Sequence, residues 1–381
     1  MKHKDPYSKI RPYNDVELPY AINRMLQSHG FLSSLMNFVP DEPLNVLVRK
    51  IRKTKTCFDF QKNIFSKICQ TFIDRSIDNL TVAGFDKLDK NKSYLFIANH
   101  RDIIMDSAIM QVYIVSQGEK TCLSGIGDNL LSSPILTDVA KVCNMFTITR
   151  SGNARQMVAS SQLVSEYIRA NITENNNSVW IAQRNGRTKD GFDKTQQSVL
   201  KMFCASGRDK GIYESIRELN IVPLTISYEF EPCDQMKARE LILSDKGKKY
   251  VKAPDEDFKS MSTGIFAYKS RVHLQFGEPI NDFIDESIPF SHDNEKILYL
   301  CSLIDKQMYK NYRLWPNNHI AYDVLNNSTE FQNYYSDFSK RDFVKHIRKQ
   351  ANMDDVSYAK MKQMLYTMYA NPVKAALENN Q

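Results

Sequence analysis

The sequence predicts an α/β protein: a central, mostly parallel sheet flanked by helices, with helical extensions at the N- and C-terminal ends. Three observations lead there. Short strand-like runs at 94–98, 145–149, 178–182, 221–228 and 271–276 alternate with helical patterns near 103–117, 128–142, 153–171 and 194–206. Such alternation is how a parallel sheet with crossover helices reads in sequence. Before residue 80 apolar residues recur at helical spacing, and after Pro279 the chain becomes helical and polar again. The composition, 42% hydrophobic and 25% charged, belongs to a folded globular chain, and 381 residues leave room for one large α/β domain with appendages or for two domains.

Taken in order, residues 18–39 and 44–78 read as helices separated by Pro40-Asp41-Glu42-Pro43. Ile64, Phe65, Ile68, Cys69 and Phe72 form a helical stripe in the second. Arg49, Lys50, Arg52, Lys53 and Lys55 put five cations in seven residues, which fits a solvated helix face and a membrane-surface contact equally. The helix near 153–171 carries Met157, Val158, Ser161, Val164 and Ile168 on one face. Residues 173–178 are a polar loop, and 244–262 a charged surface excursion. Candidate helices at 294–314 and 341–371 are joined through Trp315-Pro316-Asn317-Asn318. This divides the chain into a helical, membrane-proximal region 1–79, a central domain 80–285 and a helical extension 286–381.

No run approaches the roughly 20 apolar residues that cross a bilayer, and the start has no apolar core of a secretory signal. Seven scattered cysteines read as reduced thiols of a cytosolic protein. A net charge of +7 is too mild to argue for nucleic acid; it suits an anionic membrane surface or phosphorylated substrates. The histidines and cysteines lack the spacings of metal sites, so no metal is expected. Phosphate-binding glycine loops and the nucleophile elbow are also absent from the sequence.

Four stretches carry the chemistry. Tyr94-Leu95-Phe96-Ile97-Ala98 runs into Asn99-His100, with Asp102 and Asp106 following. A histidine at the end of a buried strand beside aspartates is where an α/β protein places a general base, although any one of these polar residues also suits a helix cap. If residues 100–106 formed one helix, neither aspartate would face His100. The chain must therefore bend after His100, leaving Asp102 to cap the next helix and Asp106 to reach the imidazole. A second strand ends in Arg150. A third, Val179-Trp180-Ile181-Ala182, is followed by Asn185-Gly186-Arg187-Thr188-Lys189, and the fourth is Ile221-Val222-Pro223-Leu224-Thr225-Ile226-Ser227-Tyr228. A base, strand-end cations and a glycine turn suit attack by a hydroxyl on an acyl carbonyl: the cations hold an anionic acceptor and backbone N–H groups meet the oxyanion.

In these blocks, in this order, and in Val272-His273-Leu274-Gln275-Phe276-Gly277-Glu278-Pro279-Ile280, the chain resembles the glycerolipid acyltransferase superfamily over roughly residues 80–285. The resemblance implies His100 as general base and Asp106 as its orienting partner. It also implies an acceptor site drawn from Asn99, Arg150, Asn185, Gly186, Arg187, Lys189 and Pro223. There would be no cofactor beyond the co-substrate, acyl-CoA or acyl carrier protein. The implied acceptor is a lysophospholipid such as 1-acylglycerol 3-phosphate, with glycerol 3-phosphate or a lyso-aminolipid as alternatives. The protein would act at the cytoplasmic face of the inner membrane, peripherally attached. Three positions depart from the family pattern: five residues rather than four separate His100 from Asp106, Asn185 stands where a Glu is usual, and Asn144 where a Gly is usual. The early Ile10-Arg11-Pro12-Tyr13-Asn14-Asp15 and late Tyr312-Arg313-Leu314-Trp315-Pro316 are similar to a longer bacterial subgroup. A lipid-binding protein of the same fold without turnover is the competing class.

Overall fold

Apolar side chains on both faces of a run of β-branched and aromatic residues favour a strand buried between two layers of helices. The computed structural model describes residues 5–150, 152–244, 250–253 and 255–379, and among these seven strands form one sheet. They are β1 (Ile77–Ala83), β2 (Leu95–Ala98), β3 (Leu123–Gly127), β4 (Met145–Ile148), β5 (Val179–Ala182), β6 (Ile221–Tyr228) and β7 (Ser270–Phe276). The spatial order is β1-β7-β6-β2-β5-β3-β4, and every pairing is parallel except β6 with β7. The expected mostly parallel α/β fold is the one observed.

All five expected strands form, and two more join them. β1 begins inside the stretch read as helix, and crosses the expected boundary at 79/80. It is an edge strand, so its Asp78, Asn79 and Thr81 need no buried face and leave no apolar alternation to read. β3, Leu-Ser-Gly-Ile-Gly, is hidden by its glycines. A Cβ on Gly125 would sit 2.8 Å from Ile148 Cδ1, so the small residue permits close packing. Some helices also divide differently. The 18–39 segment breaks at Ser28, whose hydroxyl accepts from the Phe31 N–H and caps the helix His29–Phe38. The expected joint at Trp315-Pro316 is the start of another helix, Pro316–Asn326, with proline in its first turn. The 341–371 segment is two helices, Asp337–Ala351 and Tyr358–Asn379. Part of the 244–262 excursion is the helix Glu256–Phe266; residues 245–249 and 254 lie outside the described residues.

Strand alternation sorts the core into two layers. Leu95, Ile97, Val179, Ile181 and Ile221 pack on the side of helices Ala154–Thr173, Gln197–Cys204 and Asp293–Asn311. Phe96, Ala98, Trp180, Val222 and Leu224 pack on the side of helices Ser66–Ser76 and Met105–Ser116. The C-terminal helices have their own core around Phe343, Ile347, Leu365 and Tyr369, which also takes in Phe230 and Ala238. All seven cysteines are buried free thiols. No helix among the described residues is long and apolar enough to cross a membrane.

Candidate active site

His100 continues the Phe96–Ala98 face beyond the end of β2 and so emerges toward helix Met105–Ser116. The chain then turns. Asp102 Oδ1 accepts from the N–H groups of Ile104 and Met105 at 2.9 and 2.8 Å, satisfying donors that the helix start leaves open. Asp106, in the first helical turn, folds back over the turn. Its Oδ2 lies 3.0 Å from His100 Nδ1 and accepts from the Arg101 and Asp102 N–H groups at 2.7 and 2.9 Å. Its Oδ1 accepts from the Tyr228 hydroxyl at 2.9 Å. Burial, with Asp106 beside it, holds the Tyr228 phenol well above its usual range, so it remains a donor. The pair is therefore His100–Asp106, five intervening residues notwithstanding.

Asp102 Oδ2 is buried and has no hydrogen-bond partner among the described residues. It faces Gly264, where a Cβ would lie 1.9 Å away. Near it, burial pushes the Lys269 ammonium down to about 8 against the pull of Asp102 and Cys233.

The imidazole opens on a cavity of about 120 Å³ at the carboxyl ends of β2, β3, β4 and β5, the place where parallel sheets bind ligands. Trp180 stands edge-on to the His100 ring at 6.3 Å between centroids. Ile103, Ile104, Ile126, Leu130 and Met145 form an apolar part of the wall. Arg150, Gly186, Arg187 and Lys189 form a cationic part. Arg187 is buried, and its Nη1 has no hydrogen-bond partner among the described residues. A buried, unpartnered guanidinium donor on a residue of the cavity wall suits an anionic ligand. Lys189 is already paired with Glu240. The loop carrying these residues is tied to the strand end through Thr188 N–H, which donates to the His100 carbonyl at 2.7 Å.

Three residues expected at the acceptor do not line the cavity. Asn99 is one residue from His100 and thus on the opposite face of the strand end. It is wholly buried, its amide donating to Asp193 Oδ2 and the Ile226 carbonyl and its oxygen accepting from Ile226 N–H. Asn185 is exposed, its N–H held by Gln196 Oε1. Pro223 sits inside β6 opposite Ile97. Its carbonyl accepts from Gly277 N–H where the β7 pairing ends, so the missing N–H of proline faces no ladder partner. Conversely, Asn129, Asp257 and Lys252 line the cavity and no motif pointed to them. Trp180 and Tyr228 were visible only as strand residues.

The acyltransferase family model matches residues 79–227, which run from within β1 to near the end of β6 and include His100, Asp106, Arg150 and the 185–189 loop. Over that span the chain is similar to the acyltransferase family. No curated protein sequence matches it significantly. Solved structures include a match to the 1-acyl-sn-glycerophosphate (LPA) acyltransferase PlsC from Thermotoga maritima, at 13% identity and a TM-score of 0.39, covering 78% of this chain and 95% of that chain.

Proposed function

We propose that this acyltransferase moves a fatty acyl group from a thioester, acyl-CoA or acyl-ACP, to a hydroxyl of a lysophospholipid at the cytoplasmic surface of the inner membrane. The observation that carries the reading is the His100–Asp106 pair opening on a cavity with Arg187 and Arg150 in its wall. With Nδ1 held by Asp106, Nε2 is the nitrogen left to take the acceptor hydroxyl proton. The alkoxide oxygen bonds to the thioester carbon, giving a tetrahedral intermediate. Its collapse breaks the C–S bond, and the imidazolium returns the proton to the leaving thiolate. Arg187 and Arg150 hold the acceptor's anionic head group, and the Ile103, Ile104 and Leu130 wall suits the acyl chain.

Labelled acyl-CoA, a panel of lysolipids and the purified protein test this directly. Acylation should appear with at least one acceptor. A folded His100→Ala protein should lose about 10²–10⁴ in rate; an unchanged rate would remove His100 from the mechanism.

One observation favours a second acceptor class. Asp257 is the one carboxylate among the described residues lining the cavity. Burial raises its carboxyl, but a 2.7 Å pair with Lys252, Asn129 and the Arg187 charge hold it below its usual range, so it is ionised. An anion beside the cationic wall opposes a doubly charged phosphomonoester and suits a head group with its own ammonium, which would take the Lys252 position. On this reading the acceptor is a lyso-aminolipid or another zwitterionic lysolipid. Asp257→Asn should then raise the KM of lysophosphatidylethanolamine and lower that of lysophosphatidic acid. Parallel changes for the two would exclude it.

A further inference from the structure

Lys237 belongs to none of the motifs and lies outside the cavity. It sits on helix Asp234–Leu243 with its side chain fully buried, and a buried ammonium is tolerated only with partners. It donates to Glu231 Oε1 at 2.6 Å and to the Arg101 carbonyl at 2.5 Å. The second bond is the informative one. That carbonyl belongs to the peptide unit whose N–H, on Asp102, donates to Asp106 Oδ2, the oxygen that also holds His100 Nδ1. Ammonium, peptide, carboxylate and imidazole thus form one unbroken hydrogen-bonded series. A charged donor on a carbonyl draws electron density to the oxygen and strengthens the N–H at the other end of the peptide as a donor.

We infer that Lys237 is a positioning residue for the His100–Asp106 pair, holding the 101–102 peptide so that its N–H keeps the Asp106 carboxylate on the imidazole. The inference rests on the acyl-transfer reading above. Balancing the charge of Glu231 does not by itself account for the contact, because Arg101 Nη1 also pairs with Glu231 Oε2, at 3.1 Å. The helix bearing Lys237 is in turn clamped by the C-terminal helices. Asp234 Oδ2 accepts from the Tyr369 hydroxyl at 2.9 Å and lies 2.6 Å from His346 Nε2. The Tyr369 hydroxyl also accepts from the Glu231 N–H at 2.9 Å. Through these bonds the C-terminal extension becomes part of the support of the catalytic pair.

The test uses the full-length protein carrying Lys237→Met with Glu231→Gln, a change that leaves net charge unaltered. With acyl-CoA and an acceptor the wild type uses, kcat should fall about 10- to 100-fold, the scale of small misplacements at reacting groups, while KM for both substrates stays put. In an Asp106→Asn background the same pair of changes should lower kcat by less than about twofold, because Lys237 acts through that carboxylate. The His100 Nδ1 proton resonance, read by NMR without substrate, should also move. Wild-type kcat in a folded double variant, an equal loss in both backgrounds, or an unmoved proton resonance each overturns the inference. If the double variant does not fold, Lys237→Gln, which keeps a donor and removes the charge, is read by the same cycle and the same resonance. His100-dependent turnover indifferent to Lys237 sinks only this inference, whereas a wild-type protein that acylates nothing sinks the acyl-transfer reading.

Discussion

In the turn after β2, two carboxylates four residues apart face different partners. Asp106 receives the imidazole and two turn N–H groups on one oxygen and Tyr228 on the other. Asp102 receives only backbone N–H groups. Asp106→Asn keeps one oxygen for the three donors, and the Tyr228 hydroxyl can turn to accept from the new amide. The fold should therefore survive, while loss of the carboxylate that stabilises the imidazolium lowers kcat by about 10²–10⁴. Asp102→Ala should cost about 0.5–2 kcal/mol of stability and leave most of the activity. Denaturation midpoints and kcat for the two variants check this; the reverse pattern would make Asp102 the partner of His100.

At the scale of elements, the loop between β5 and helix Gln197–Cys204, proposed above to hold the acceptor, depends on a helix far away in sequence. Gly191 has φ +79° and its Cα side faces the Met368 carbonyl so closely that a Cβ would lie 1.9 Å from that oxygen. Asn371 of the same C-terminal helix donates to the Asp190 carbonyl at 2.8 Å. Asp193, next in the loop, accepts from Asn99, Arg101 and Thr188. Burial opposes the Arg101 charge, but Asp193 and Glu231 hold the guanidinium above its usual range. Gly191→Ala must separate loop and helix and adopt a strained φ. It should cost about 1–3 kcal/mol and, if Arg187 in the same loop holds the acceptor as proposed, raise KM for the acceptor without changing KM for the donor. A melt and steady-state kinetics decide it; unchanged values for both would mean the loop does not depend on this contact.

At the scale of the molecule, no helix among the described residues is long and apolar enough to cross a membrane, and one N-terminal helix exposes a row of cations. On helix Leu44–Lys53, Leu47 and Ile51 point inward while Arg49, Lys50, Arg52 and Lys53 are exposed. Cations so placed contribute about 1 kcal/mol each near anionic lipid, and salt screens them. If the protein binds membranes through this helix, sedimentation with anionic vesicles should fall sharply between low and high salt, and neutralising Arg49, Lys50, Arg52 and Lys53 together should abolish it. Binding that resists both treatments would locate attachment elsewhere, with exposed apolar residues such as Val251 and Phe258 the next to test.

What the sequence by itself determined is the periodic part: the central sheet's five apolar strands, their helices, and the strand ends carrying His100, Arg150 and Arg187. Periods of 2.0 and 3.6 are local properties, written wherever a whole face is buried. The bend that pairs His100 with Asp106 was legible for the same reason, because helical geometry excludes an i+6 contact. Edge strand β1 and glycine-bearing β3 lack an apolar alternation and surfaced only through their neighbours. Which face a polar residue takes was settled by tertiary structure, since one residue along a strand reverses its direction. His100 meets the cavity and Asn99 the buried Asp193 on that account. Tertiary structure alone also brought Asp257 into the cavity wall and set Lys237, 136 residues along the chain, on the Arg101 carbonyl. A contact across that separation leaves no mark in local pattern, because it depends on the packing of β6, its following helix and the C-terminal helices together.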